Sequence, residues 1–337
     1  MLSKNIVFTK PGCAELLEEE VKAMGPKDIL VELEMSSVSS GTEKANLLGV
    51  DRISPGAKEV SKTYPRRLGY SCCGKVLEIG SEVTKHKVGD RVALAWSTHS
   101  QYNVITEDNA YPIDYIDPQD AALFNICTFP MAAVRKCRTE MGESAIVMGM
   151  GVLGLISVKL LRIAGATPII AVDPVEAKRE QAIKYGADYA FDPYDPEFSE
   201  KVKEVTNGGC NVGIEVTGIG AGLDGILDCM QRYGRVALLG CTRNSDFSID
   251  YYGKVHGRGI TLIGAHTMAR PKHESHGGWW TQRDDFYAIK KLTQTGRLEL
   301  KSLVEEVHCP CEATEVYNRL ASEKFFPVVQ FDWRKVK

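Results

Sequence analysis

Long apolar runs are missing from this sequence. No stretch approaches the ~18 residues that a membrane-spanning helix needs, so no membrane segment is expected. The opening MLSKNIVFTKPG lacks the apolar centre of a secretory signal, which points to a cytoplasmic protein. A surplus of one charge is missing too: 41 basic and 44 acidic side chains leave a net charge of -3, and no basic run stands out. Nucleic acid therefore finds no electrostatic footing, and a small molecule is the expected partner. A disulfide framework is absent as well. The ten cysteines (Cys13, Cys72, Cys73, Cys127, Cys137, Cys210, Cys229, Cys241, Cys309, Cys311) are scattered, and most are expected as reduced thiols packed like small apolar groups. There is neither an internal repeat nor a low-complexity segment.

What is present is enough apolar material for large cores: 337 residues, 44% hydrophobic and 25% charged, a length that suits two domains. The first 120 residues read as short strands between turns, with runs at Ile29–Met35, Lys75–Ile79, Arg91–Ala95 and Tyr102–Ile105. After Asp120 the pattern changes. AALFNICTFPMAAVRKC reads as a helix, and from Ser144 strands alternate with helices, as in a doubly wound parallel α/β sheet. Strands are expected at Ala145–Met148, Pro168–Val172, Val212–Val216, Arg235–Leu239 and Thr261–Gly264. Helices are expected at Val152–Ala164, Val175–Tyr185 and Arg283–Thr295, and Leu303–Phe331 reads as strand, helix, strand.

In SAIVMGMGVLGLISVKLLRIAGATPIIAVD, Gly149, Gly151 and Gly154 fall in GxGxxG spacing after an apolar strand, with Val152 and Leu153 opening the helix. The first glycine permits the tight turn, the second lets backbone approach a pyrophosphate, and the third allows close helix packing. Asp173 stands at the end of the next strand, where a carboxylate binds ribose hydroxyls and repels a 2′-phosphate, favouring NAD over NADP. The competing possibility is a plain turn with Asp173 as a helix cap before Pro174. Lys178 and Arg179 are close enough to receive a 2′-phosphate, although a solvated helix face also accounts for them. Two further strand ends, with Thr217 and Gly218 and with Leu239 and Gly240, finish at the same sheet edge and are candidates for the nicotinamide half.

Together VGDRVAL, GYSCCGKVLEIGSEV, the glycine fingerprint, YGAD, IEVTG and GRVALLG resemble the medium-chain dehydrogenase/reductase superfamily of zinc alcohol and polyol dehydrogenases. The resemblance spans nearly the whole chain. It implies a GroES-like substrate domain over 1–120, completed by 297–337, a Rossmann NAD-binding domain over 121–296, a cleft between them, and a homodimer or homotetramer. It also shows departures. Where zinc members carry a Cys-Gly-Thr-Asp type motif, this chain has Ser40-Gly41-Thr42-Glu43; where they carry Gly-His-Glu, it has Gly69-Tyr70-Ser71. The third ligand position falls near Phe124 or Asn125, with Cys127 close by. The structural zinc lobe is missing, since no cysteine lies between Asp90 and Tyr111. A catalytic zinc needs three protein ligands, so no metal is expected at either place. His308-Cys309-Pro310-Cys311 reads as edge-strand thiols.

Without zinc, hydrogen-bond donors and a general acid or base must handle the substrate oxygen while the cofactor moves hydride. The candidates are Thr42, which keeps the family's proton-relay position, Tyr70, His99 on the shortened hairpin, Ser40, and Glu43 as a supporting acid. Each has a plainer explanation: a threonine satisfying a turn, a tyrosine filling vacated space, a surface histidine, an ion-paired carboxylate. By its spacing from Gly149, Thr128 resembles the family threonine that contacts nicotinamide. The loop after Ala265, with His266, His273, His276, Trp279 and Trp280, suits a polyhydroxylated ring or a subunit interface. The expected function is an NAD(H)-dependent, zinc-independent dehydrogenase interconverting a secondary alcohol and a ketone on a sugar, polyol or cyclitol. The alternatives are a quinone or enone reductase and a non-catalytic NAD-binding protein.

Overall fold

Short apolar runs between turn residues fold the start of the chain into strands: β1 (Leu2–Lys10), β2 (Cys13–Glu20), β3 (Asp28–Ser37), β4 (Arg66–Arg67), β5 (Ser71–Ile79), β6 (Arg91–Ala95), β7 (Tyr102–Thr106) and β8 (Ala110–Pro112). Helix α1 (Ser40–Leu48) follows β3, and α2 (Pro118–Ala121) and α3 (Phe124–Lys136) follow β8. This computed structural model describes residues 1–50 and 63–336. Contacts divide it into two units, Met1–Ile126 with Lys290–Lys337, and Cys127–Ile289. The division falls inside α3 and the last helix of the second unit, a few residues from the expected 120 and 296.

The second unit alternates strand and helix: β9 (Ala145–Met148), α4 (Val152–Ala164), β10 (Ile169–Val172), α5 (Glu176–Lys184), β11 (Tyr189–Phe191), α6 (Phe198–Val205), β12 (Cys210–Glu215), α7 (Gly220–Asp228), β13 (Met230–Leu238), β14 (Thr261–Gly264) and α8 (Gln282–Gln294). All strand pairs are parallel, in the order β11-β10-β9-β12-β13-β14. Residues 145–148, 169–172 and 212–215 are buried, as strands covered on both faces must be. Strand order reverses beside β9, so its carboxyl end is a switch point where such sheets bind ligands. Helix α4 begins at Gly151 and stops at Gly165, whose left-handed conformation (φ 88°) closes the last turn.

The chain returns to the first unit with β15 (Glu306–His308), α9 (Ala313–Ser322) and β16 (Val329–Asp332). There β2-β1-β4 form one sheet; β15-β16-β3-β5-β6-β8 form a second, with β7 also paired to β3. Ile6, Phe8, Leu33, Val76, Leu94, Val316, Tyr317 and Phe331 share one core, so α9 and β16 complete the packing begun by the first strands. Cys309 and Cys311 are not edge-strand thiols: Cys309 caps a short turn, Pro310–Glu312, that leads into α9.

Candidate active site

Residues 40–43 form a helix, not the expected turn. The Glu43 carboxylate reaches back to accept the Ser39 N–H (2.8 Å), and Gly49 ends the helix in a left-handed conformation. Glu43 is fully buried; its other contacts are His99 Nε2 (3.2 Å) and the Tyr317 hydroxyl, which donates to it (2.5 Å). His99 Nδ1 meets Ser36 Oγ at 2.7 Å, and Ser36 Oγ also accepts from Trp333 Nε1 (2.8 Å). A carboxylate only accepts, so His99 Nε2 is the donor to Glu43. Burial first, and then the charge of Glu43, push the Tyr317 phenol well above its ordinary range, so it stays protonated as a donor.

His99 is therefore not a solvent-facing proton carrier on a hairpin. It is 1% exposed, both nitrogens are engaged, and the loop between β6 and β7 folds it inward. Gly69 makes room for it. At φ 103° a Cβ on Gly69 would lie 2.5 Å from the His99 ring and 2.6 Å from its backbone nitrogen.

In front of this buried network lies a hydroxyl pair. Tyr70 OH and Ser39 Oγ are 2.5 Å apart. The Tyr70 carbonyl accepts from Asn125 Nδ2 (2.7 Å) and Trp96 N–H (3.1 Å). The Trp96 ring lies 6.0 Å from that of Tyr70, and Trp96 holds a left-handed backbone (φ 62°) that a bulky residue adopts only at a cost. Ser39, rather than Ser40, supplies the partner hydroxyl. Ser40 and Thr42 are half-buried in the first turn of α1. Sequence reasoning missed Ser36, Ser39, Tyr317 and Trp333, because long-range contacts that join strand, helix and C-terminal return leave no local signal. The donor set around Tyr70 does not fit a zinc ion. Hydroxyls stand where thiolate and imidazole ligands would be needed, and among the described residues no group of three His, Cys, Asp or Glu side chains could hold a metal.

In the second unit the glycine fingerprint is built as its spacing requires. Gly149 has φ 100° and packs against Thr217, whose Cγ2 lies 3.0 Å from a built Cβ. A Cβ on Gly154 would lie 1.8 Å from the Gly149 carbonyl oxygen, so any larger residue displaces backbone. Gly151 is the contrast: a Cβ there meets nothing within 4 Å, and no side chain caps the amides that open α4. Open space in front of free helix-terminal amides is the shape of an anion cradle. Asp173 ties the turn to β10, accepting Met150 N–H (2.8 Å) and Val175 N–H (2.9 Å). Arg179 donates to the Asp173 carbonyl (2.8 Å) and faces Asp192 at 3.6 Å, while Lys178 donates to Gln181. Both cations are thus engaged on α5.

The other two strand ends also converge. The buried Glu215 carboxylate accepts from the backbone of Thr217 (2.7 Å) and Gly218 (3.1 Å) and from the Thr217 hydroxyl. Burial raises its pKa, only partly offset by these donors. Leu239 and Gly240 N–H both donate to the Glu215 carbonyl, and a Cβ on Gly240 would lie 2.4 Å from Gly218 N. Beside them a cavity of about 450 Å³ is lined by residues 217–221, Cys241, Arg243, Asn244, Asp246 and Phe247. The sequence reading did not reach this second wall. Thr128 is fully buried in α3, and its carbonyl accepts from Arg270 (3.3 Å). In the aromatic loop a cation lies over one face of each tryptophan: Arg135 stacks on Trp280 (3.6 Å) and the Lys136 ammonium lies over Trp279 (4.4 Å), while Trp280 stays partly exposed.

These two units, a GroES-like β unit and a Rossmann unit with a built nucleotide turn, define a two-domain dehydrogenase. Comparison with known proteins gives the family. Residues 25–114 match the alcohol dehydrogenase GroES-like domain and residues 152–276 match the zinc-binding dehydrogenase family. The chain belongs to the zinc-type medium-chain dehydrogenase superfamily, which makes it an oxidoreductase of the alcohol dehydrogenase type. It is 27% identical over 336 residues to an L-threonine 3-dehydrogenase of Pyrococcus horikoshii, covering 89% of each. It is 23% identical over 335 residues to a D-guloside 3-dehydrogenase of Shigella flexneri, covering 93% of this chain and 95% of that one. A Sinorhizobium meliloti protein described as a zinc-binding dehydrogenase, solved with NADP bound, superposes with a TM-score of 0.82 at 21% identity, over 98% of this chain and 99% of the other. Among the described residues no helix is long and apolar enough to cross a membrane.

Proposed function

We propose that this protein is an NAD(H)-dependent, zinc-independent dehydrogenase that interconverts a secondary alcohol and a ketone on a sugar, polyol or cyclitol. The observation that carries the reading is the Tyr70–Ser39 hydroxyl pair at the place of the family's zinc-ligand motifs. Nicotinamide, when bound, supplies or accepts the hydride. The chain's own task is the proton on the substrate oxygen. Tyr70 donates that proton to a carbonyl in reduction and takes it back in oxidation, with Ser39 Oγ holding the phenol in position and Thr42, in the first turn of α1, as an additional hydroxyl. Behind them Glu43 and His99 fix the start of α1 and the Gly69 turn, so the pair is aimed before substrate arrives. The cofactor would be held by the turn Gly149–Gly154, by Asp173 at the ribose, and by residues 217–218 and 239–240.

The choice of NAD over NADP rests on Asp173. Its carboxylate is anchored by two backbone amides, and Arg179 is held by the Asp173 carbonyl and Asp192. A 2′-phosphate would face that negative charge without a free counter-ion. The guloside 3-dehydrogenase and threonine 3-dehydrogenase relatives both carry names of enzymes acting at a secondary carbon, which supports the substrate class. The test is an absorbance screen with NAD and NADP over polyols, sugars and their keto forms, on wild type and Tyr70→Phe, with metal analysis of the purified protein. Turnover with NAD, no stoichiometric zinc, and a loss of about 100-fold or more in kcat for Tyr70→Phe at unchanged NADH affinity are expected. Zinc near one equivalent, or a Tyr70→Phe enzyme as fast as wild type, refutes the reading.

A further inference from the structure

The cysteines fall into two chemical groups. Cys72, Cys73, Cys127, Cys137, Cys210 and Cys229 are buried, and burial pushes their thiols up, those of Cys72, Cys137 and Cys229 to about 12. Such thiols are poor nucleophiles. Cys309 and Cys311 differ: they are joined to each other, with Cα atoms 5.1 Å apart, and lie outside the core, Cys309 half-buried and Cys311 exposed. The ring they close encloses only Pro310, and a disulfide around so short a loop restrains the unfolded chain little. As a staple it contributes almost nothing, so its chemistry is the better explanation.

The surroundings favour exchange. Cys309 N–H donates to the Glu312 carboxylate (2.7 Å) and Cys311 N–H donates to Cys309 Sγ (3.3 Å), so backbone geometry holds the two sulfurs on one turn. The neighbouring His308 ring lies between Glu306 (2.7 Å) and Glu312 (3.2 Å). Burial opposes its charged form, but the two carboxylates outweigh that and raise its pKa.

We propose that Cys309–Cys311 is a reversible dithiol/disulfide pair that exchanges with low-molecular-weight disulfides, glutathione disulfide being the co-reactant. The exposed Cys311 thiolate attacks one sulfur of glutathione disulfide. That S–S bond breaks, a mixed disulfide forms on Cys311, and one glutathione leaves as thiolate. Cys309 thiolate then attacks the Cys311 sulfur and expels the second glutathione. The protein has given up two electrons and two protons, and glutathione disulfide has become two thiols; excess glutathione runs the sequence backwards. The pair sits at the start of α9, the helix whose Tyr317 hydrogen-bonds Glu43.

The full-length protein is equilibrated in glutathione buffers from fully reducing to oxidising, acid-quenched, alkylated, and read by intact mass and peptide mapping. Expected is a species lacking two hydrogens, bridged at Cys309–Cys311, appearing before the thiols of the buried cysteines react and disappearing when reduced glutathione is restored. Cys311→Ser should abolish that species, while Cys309→Ser should stall at a glutathione adduct on Cys311. The proposal is overturned if both cysteines alkylate freely in oxidising buffer, if only glutathione adducts form in the wild type, or if excess glutathione fails to open the bridge.

Discussion

Replacing Gly151 by alanine isolates the nucleotide cradle from the fold. Its φ of -72° and ψ of -174° are extended backbone that alanine adopts, and the added methyl meets no atom within 4 Å. Alanine caps a helix less well than glycine, a loss of about 1 kcal/mol or less. Lower entropy of the unfolded chain returns about 0.4–1 kcal/mol. The second unit should therefore keep its stability within about 1 kcal/mol. Binding should not survive so well, because the methyl occupies the space in front of the α4 amides. One displaced hydrogen bond to a charged group is worth about 1.5–3 kcal/mol, and about 1.4 kcal/mol is tenfold in affinity. NADH should thus bind Gly151→Ala at least about 10-fold more weakly. Gly154→Ala is the control with the opposite signature: its methyl would lie 1.8 Å from a backbone oxygen, so it should destabilise the unit by about 2 kcal/mol or more. NADH fluorescence titration alongside urea melts reads both. A folded Gly151→Ala protein that binds NADH as wild type does would show that the pyrophosphate does not rest on this turn.

Three further outcomes follow from specific contacts. Asp173→Asn keeps an acceptor for a backbone amide but loses the charge, so calorimetric titration should find the preference for NADH over NADPH reduced by about 10-fold; an unchanged ratio would remove Asp173 from cofactor choice. Tyr317→Phe takes a donor from the buried Glu43 carboxylate and should cost about 1.5–3 kcal/mol of first-unit stability, and a melt identical to wild type would refute the network. Burial, with Arg270 adding to it, lowers the Lys136 pKa to about 8. Between about pH 8 and the ordinary lysine value of about 10.4 the unfolded chain holds a proton that the folded one has released, so stability rises with pH across that window, by at most about 3 kcal/mol. Lys136→Met should flatten that slope in melts at pH 7.5 to 10, and an unaltered slope would place the titration elsewhere.

The Rossmann half was legible because its signals are local. Ala145–Met148, Val152–Ala164 and Thr261–Gly264 occupy the residues their patterns indicated. Apolar period and glycine spacing act within a few residues, where sequence and geometry are directly linked. Shorter or more polar pieces escaped: α7 carries three glycines, and α1 opens with Ser-Gly-Thr, a composition that favours turns. There the helix forms because Glu43 caps its start from inside and Gly49 closes its end.

The sequence by itself determined the class of fold and the places of the glycine turn and of the acidic residue after it, since each depends on residue type at a fixed spacing. Only the tertiary structure decided which side chains meet around Tyr70 and His99. It turned His99 from a surface group into a buried partner of Glu43, chose Ser39 over Ser40 as the partner of Tyr70, and joined Cys309 to Cys311. Those outcomes depend on which side chains from distant segments are driven out of water together. The energy of a buried carboxylate or imidazole is set by the donors that reach it from β3 and α9, and no spacing along the chain encodes that meeting.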